Sequence, residues 1–235
     1  MQLISSIVLA SAAMYASAKT LNDGSKFAYG KAFDGQAQWQ MAGVLEYPCS
    51  GDFANIGISD CYQFELSSDG SKNLDTNHLD SPRQRNEFRM PDNAAGESHA
   101  YQWKTHVSGE TGTSNNFFHL MQIFDGVKGG PMLTLTGRKN KVGVESESLC
   151  GDGCASASWD DYVDRTMQHT MKIKFGPNGS MDYNIEDAET GESLISQSLK
   201  GAFGSDSTYL KFGTYRKVYD NMTKVRAAAG DFEQS

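Results

Sequence analysis

The sequence predicts an all-β fold, a two-sheet jelly-roll sandwich whose concave sheet carries a ligand cleft. Three observations lead there. Ten strand-like segments follow one another, and Gly, Asn, Asp and Ser, the residues that turns favour, separate them. The clearest segments alternate with a period of two. No internal repeat, heptad or low-complexity tract competes with that reading.

In chain order, a leader comes first. Leu3 to Ala10 is small, apolar and uncharged, and Ala16-Ser17-Ala18 supplies the small residues that a signal peptidase needs. Residues 1–18 are therefore expected to be removed, leaving a single domain over 19–235 that is secreted and monomeric. No apolar run is long enough to span a bilayer. Residues 35–45 are expected to hold a short helix, and 158–165 another turn or so. Strands are expected over 61–67, 85–90, 101–107, 117–124, 132–137, 141–145, 170–175, 181–186, 194–199 and 208–216. Pro177-Asn178-Gly179-Ser180 and Glu189-Thr190-Gly191-Glu192 read as hairpin turns.

The four cysteines fall in two close pairs, and an oxidising compartment favours local bridges, Cys49–Cys61 and Cys150–Cys154. Asn178-Gly179-Ser180 and Asn221-Met222-Thr223 are glycosylation sequons. With 29 acidic and 21 basic residues the formal charge is -8, which argues against general binding to nucleic acid or anionic membranes. A locally basic cleft for an acidic ligand is compatible with it.

Three strands carry more polar function than a sandwich core needs. Period two places Arg85, Glu87 and Arg89 on one face, two guanidinium groups around a carboxylate, suited to a planar anion or equally to a surface ion pair. In Phe117-Phe118-His119-Leu120-Met121-Gln122-Ile123-Phe124, Gln122 is the polar exception in an apolar run. Strict alternation sends His119 to the opposite face, as a core or convex-face histidine. Tyr209, Lys211, Gly213 and Tyr215 share a face, with Leu210 and Phe212 turned to the core. Two phenols and a lysine beside a glycine make a platform for a sugar ring, or an ordinary aromatic strand.

The ordered trio of Arg85-Asn86-Glu87, Gln122-Ile123-Phe124 and Tyr209 to Tyr215 resembles the jelly-roll polysaccharide lyases of the alginate lyase and glucuronan lyase group. The likeness covers roughly residues 81–217, and Phe124 stands where alginate lyases keep the histidine of Gln-Ile-His. That departure brings the chain nearer to the fungal glucuronan lyases, polysaccharide lyase family 20, whose histidine comes from another strand. The resemblance implies a β-elimination on a 1,4-linked polyuronate. Gln122 and Arg85, with Arg89 or His78, would hold the carboxylate; Tyr209 would protonate the leaving oxygen; His78 would be the base, with His106 second. Glu87 would orient Arg85, while Lys104, Lys211 and Tyr215 would bind neighbouring sugar. His99 and His169 fall at expected strand ends, where solvation is the default. No cofactor is implied for the chemistry; a structural calcium ion is, with Asp152 and the Asp160–Asp161 pair as the carboxylates at hand. Two rivals remain: a carbohydrate-binding jelly roll without catalysis, and a glycoside hydrolase, for which Glu87 is the only acid on a cleft strand.

Overall fold

The computed structural model describes residues 17–235, so the expected leader lies almost wholly outside the described residues. The described residues form sixteen strands: β1 (Lys19–Asp23), β2 (Ala28–Ala32), β3 (Ala37–Met41), β4 (Val44–Tyr47), β5 (Cys61–Leu66), β6 (Arg83–Arg89), β7 (Ser98–Val107) and β8 (Phe118–Asp125). There follow β9 (Gly130–Arg138), β10 (Lys141–Glu145), β11 (Ser156–Ser158), β12 (Thr166–Lys174), β13 (Gly176–Asp187), β14 (Ser193–Phe203), β15 (Thr208–Lys217) and β16 (Val225–Gln234). They build two antiparallel eight-stranded sheets. The first runs β1-β4-β5-β16-β7-β12-β13-β14, and the second β11-β10-β9-β8-β15-β6-β3-β2. All-β architecture is thus as expected.

One apolar core joins the sheets, and aromatic rings are its middle. Trp103 of β7 lies against Phe212 of β15 at 5.2 Å between centroids. Phe88 of β6 and Phe232 of β16 close on the same Phe212 ring at 5.4 and 5.7 Å. Such pairs contribute about 0.5–1.5 kcal/mol each beyond the area they bury. The alternation of β15 is therefore anchored from inside, and its odd-numbered side chains are turned away from the core.

Residues 35–45 correct the sequence reading. They form β3 and the start of β4, not a helix. Trp39 and Met41 are buried, and β3 pairs with β6 from Gln38↔Arg89 to Met41↔Asn86. Asn86 Oδ1 accepts from the Gly43 amide at 2.9 Å and fixes the turn between them. Tertiary pairing overrides a weak local preference. Strand β16 escaped notice because its Ala227-Ala228-Ala229-Gly230 run has little β propensity, yet it pairs with both β5 and β7. The hairpins β12–β13 and β13–β14 form as expected, although residues 176–179 stay extended against β14. A turn occupies Trp159 to Asp164.

Both disulfides pair as the spacing suggested, Cys49–Cys61 and Cys150–Cys154. The sequon residues Asn178 and Asn221 are exposed. Among the described residues no helix is long and apolar enough to cross a membrane.

His169 is the second correction. It is not at a solvated strand end but 1% exposed in the core, because β12 begins at Thr166 and turns Met167, His169 and Met171 inward together. Its Nδ1 is 2.8 Å from the Tyr183 hydroxyl and its Nε2 2.8 Å from Thr105 Oγ1, which in turn meets the Tyr162 hydroxyl at 3.0 Å. Burial pushes its pKa down from 6.5 to about 3. The unfolded chain therefore takes up a proton below pH 6.5 that the native ring refuses, so this contribution is present above pH 6.5 and is lost as pH falls towards about 3. Denaturant titrations of wild type and His169→Gln should show the wild-type curve falling more steeply below pH 6.5, by up to about 1.4 kcal/mol per pH unit.

Candidate active site

Strand β15 lies between β6 and β8 and sets the register of the site. Lys211, Gly213 and Tyr215 face Arg89, Glu87 and Arg85 on β6. Tyr209, Lys211 and Tyr215 face Phe124, Gln122 and His119 on β8. These side chains are on the face away from the core, yet Glu87 and Gln122 are 1% exposed, Lys211 4%, Tyr215 5% and Arg85 7%. The face is a floor covered by its own long side chains. A cavity of about 380 Å³, lined by Tyr29, Lys31, Gln38 and Arg89, opens beside its β2–β3 edge.

Buried charge must be paired, and here Glu87 is the common partner. Arg85 Nη1 lies 3.1 Å and Lys211 Nζ 3.8 Å from Glu87 Oε2, and the Gln122 amide donates to Glu87 Oε1. Oε2 is buried and held by these two cations without a well-directed hydrogen bond. Asp75, wholly buried, pairs with Arg85 from the other side at 2.7 Å, and Gln40 Oε1 accepts from Arg85 Nη1 at 3.3 Å. Burial works to lower the Arg85 pKa, but Glu87 and Asp75 outweigh it and hold it above the ordinary value. Burial lowers Lys211, with Glu87 opposing.

Two phenols stand on the floor. The Arg89 guanidinium lies 3.9 Å over the Tyr209 ring, Phe124 stacks on that ring at 5.3 Å, and Lys211 Nζ is 4.7 Å above Phe124. Arg89 is itself paired with Asp92. Around Tyr215, Arg85 lies 4.2 Å over the ring and Arg83 Nη1 donates to the hydroxyl at 3.0 Å. Burial raises the pKa of both phenols while Arg89 and Arg85 respectively oppose it, so both are protonated at neutral pH. Gly213, between the two, has φ +136°, and a Cβ there would run into the Asn86 carbonyl and come within 2.9 Å of Glu87 Cα.

The floor gathers Arg85, Glu87, Arg89, Gln122, Tyr209, Lys211 and Tyr215, as the sequence suggested. It also places His119 there, against expectation. Leu120 and Met121 both enter the core, because β8 carries one more residue than β9 between His119↔Thr136 and Met121↔Leu135. This β-bulge returns His119 to the face of Gln122. Two adjacent apolar residues flanked by polar ones, His119-Leu120-Met121-Gln122, were the available signal. Asp75, Gln40, Arg83 and Thr136 were missed because their strands or loops reach the floor only through tertiary pairing.

Lys104 does not belong to the site. It lies on β7 in the first sheet, paired with Asp231 at 3.0 Å, and it lines a separate cavity of about 540 Å³ with His106. His106, the second choice of base, is excluded with it; its Nδ1 is 3.2 Å from Thr166 Oγ1. His78 is partly exposed on the turn before β6, where burial and the nearby Arg83 lower its pKa. It stands with Arg83 and Arg85, at the Tyr215 end of the floor and away from Tyr209. Asp152 and the Asp160–Asp161 pair lie on separate exposed turns, and among the described residues no three His, Cys, Asp or Glu side chains gather as a cation site.

No protein-family model and no curated protein matches the chain in sequence. Solved structures do match in shape. Alginate lyase A1-II', of polysaccharide lyase family 7, superposes with a TM-score of 0.55 at 11% identity, over 80% of this chain and 84% of that one. The chain has the jelly-roll fold of these alginate lyases. A variant of the same lyase in complex with product gives 0.54 at 10% identity, over 80% and 84%. The family 14 alginate lyase of Aplysia kurodai gives 0.50 at 8%, over 83% and 86%. At such identities the likeness is one of fold.

Gly213→Ala should displace β6 from β15 and lower the melting temperature, by about 4–8 °C for each kcal/mol in a small domain and less in one of this size. Scanning calorimetry checks it; an unchanged transition would mean the close approach at Gly213 is dispensable.

Proposed function

We propose that this protein is a secreted lyase that cleaves a 1,4-linked polyuronate, glucuronan or an alginate-like polymer, by β-elimination. One observation carries the reading: a floor holding Arg85, Lys211 and Gln122 around one buried carboxylate, on a jelly roll shared with alginate lyases. Elimination beside a uronate requires its carboxylate to be neutralised, so that the C5 proton becomes acidic. Arg85 and the free amide hydrogen of Gln122 supply donors already oriented by Glu87 and Asp75. The leaving oxygen needs a proton, which Tyr209, the residue that the sequence motif points to, or Tyr215 can give. Both local disulfides suit an extracellular setting.

Phe124 beside Tyr209 supports a second reading, a carbohydrate-binding jelly roll without turnover. A glycoside hydrolase fits less well. It needs two working carboxylates, whereas Glu87 and Asp75 are both buried and tied to Arg85. Incubation with a panel of polyuronates, followed by the absorbance of the new double bond, separates the three. The lyase reading expects unsaturated ends; binding without product supports the second, and saturated reducing ends the third. Gln122→Ala should then lower kcat by roughly 100- to 1000-fold, the effect of losing one oriented donor to developing charge.

A further inference from the structure

The polar face does not stop at the floor. Register carries it across five strands in one transverse row. Gln122 of β8 faces Lys211 of β15, Lys211 faces Arg89 of β6, Arg89 faces Gln38 of β3, and Gln38 faces Lys31 of β2. Directly opposed residues of an antiparallel pair share a face, so all five stand on the side turned from the core. A second row, Gly213, Glu87, Gln40 and Tyr29, runs beside it. Strand β2 ends the sheet, and there the cavity of about 380 Å³ lies against Tyr29, Lys31, Gln38 and Arg89, with Pro91 as a further wall.

Three observations give this cavity a ligand chemistry. Tyr29 is 53% exposed, unlike the two buried tyrosines of β15, and Phe27 meets its ring edge-on at 4.9 Å. Lys31 is exposed and enters no ion pair among the described residues, whereas Arg89 is tied to Asp92 and Lys211 to Glu87. The edge strand that presents them is anchored from below. Gly30, between the two, leaves room for the Trp39 indole, and a Cβ there would stand 2.3 Å from that ring. A pyranose offers a C–H face to an aromatic ring and hydroxyls to an amide, and a uronate adds a carboxylate for a lysine.

We propose that this edge cavity is a subsite for a uronate unit of the bound polymer that lies outside the pair whose bond is cut. Tyr29 stacks on the sugar, Gln38 hydrogen-bonds its hydroxyls and Lys31 holds its carboxylate. The inference rests on the polyuronate reading of the floor. Lys31 and Lys211 are three strand spacings apart, about 14 Å. A 1,4-linked pyranose lengthens its chain by close to one such spacing. A polymer crossing the strands over Lys211 therefore reaches Lys31 a few units further on. Only chains long enough to bridge the two positions gain from the cavity, because the second contact is then made within one complex.

The test compares wild type, Tyr29→Ala and Lys31→Gln on oligoglucuronates and oligomannuronates of increasing length. KM comes from initial rates of double-bond absorbance, or Kd from titration calorimetry where no product forms. For the longer oligomers Tyr29→Ala is expected to raise that constant by about 3- to 10-fold. Lys31→Gln is expected to raise it by about 2- to 5-fold, a difference that added salt narrows. Both differences should vanish for oligomers too short to reach β2. If Tyr29→Ala does not melt like wild type, Tyr29→Thr takes its place. Equal constants in both variants for every oligomer, a loss independent of oligomer length, or a loss in Tyr29→Ala with none in Lys31→Gln overturns this inference, and product from wild type then leaves the lyase reading standing. Neither product nor binding with any oligouronate overturns both.

Discussion

The buried carboxylate of Glu87 is the constraint around which the site is organised. A 1% exposed anion has to be neutralised where it stands, and Arg85, Lys211 and Gln122 converge on it from three adjacent strands. Asp75 then holds Arg85 from behind. The outcome is a set of donors with little freedom to rearrange, on the face of the sheet turned away from the core. Removing either buried acid would leave Arg85 with less reason to lie flat on the floor.

That floor exists because the opposite face of the same strands is fastened to the core. Leu210 and Phe212 are wholly buried, and Phe212 meets Trp103 and Phe232 from the other sheet. In a period-two strand, burying Phe212 turns Lys211 and Gly213 outward. Core packing and site geometry are therefore one decision. Gly213 adds the close approach to β6 that brings Glu87 under Lys211.

The proportion of the site legible beforehand follows from that coupling. Tyr209, Lys211 and Tyr215 were visible because β15 alternates without interruption, and Arg85, Glu87 and Arg89 for the same reason on β6. Strand β8 broke the rule. Its bulge at Leu120–Met121 reversed the face of His119, and a reading by strict alternation placed that residue on the wrong side. Lys104 and His106 failed differently: their own strand was recognised, but it belongs to the other sheet. Nothing in a single strand states which sheet it joins.

By itself the sequence determined the all-β class, the two disulfide pairs and the polar alternation of the floor strands, since each depends on contacts between residues near in the chain or on a local period. The tertiary structure alone decided that residues 35–45 become strand, that an alanine-rich tail enters the middle of a sheet, that His169 is sealed in the core, and that His119 faces Tyr215. Those outcomes depend on pairing between segments distant in sequence, where register and burial outweigh local preference.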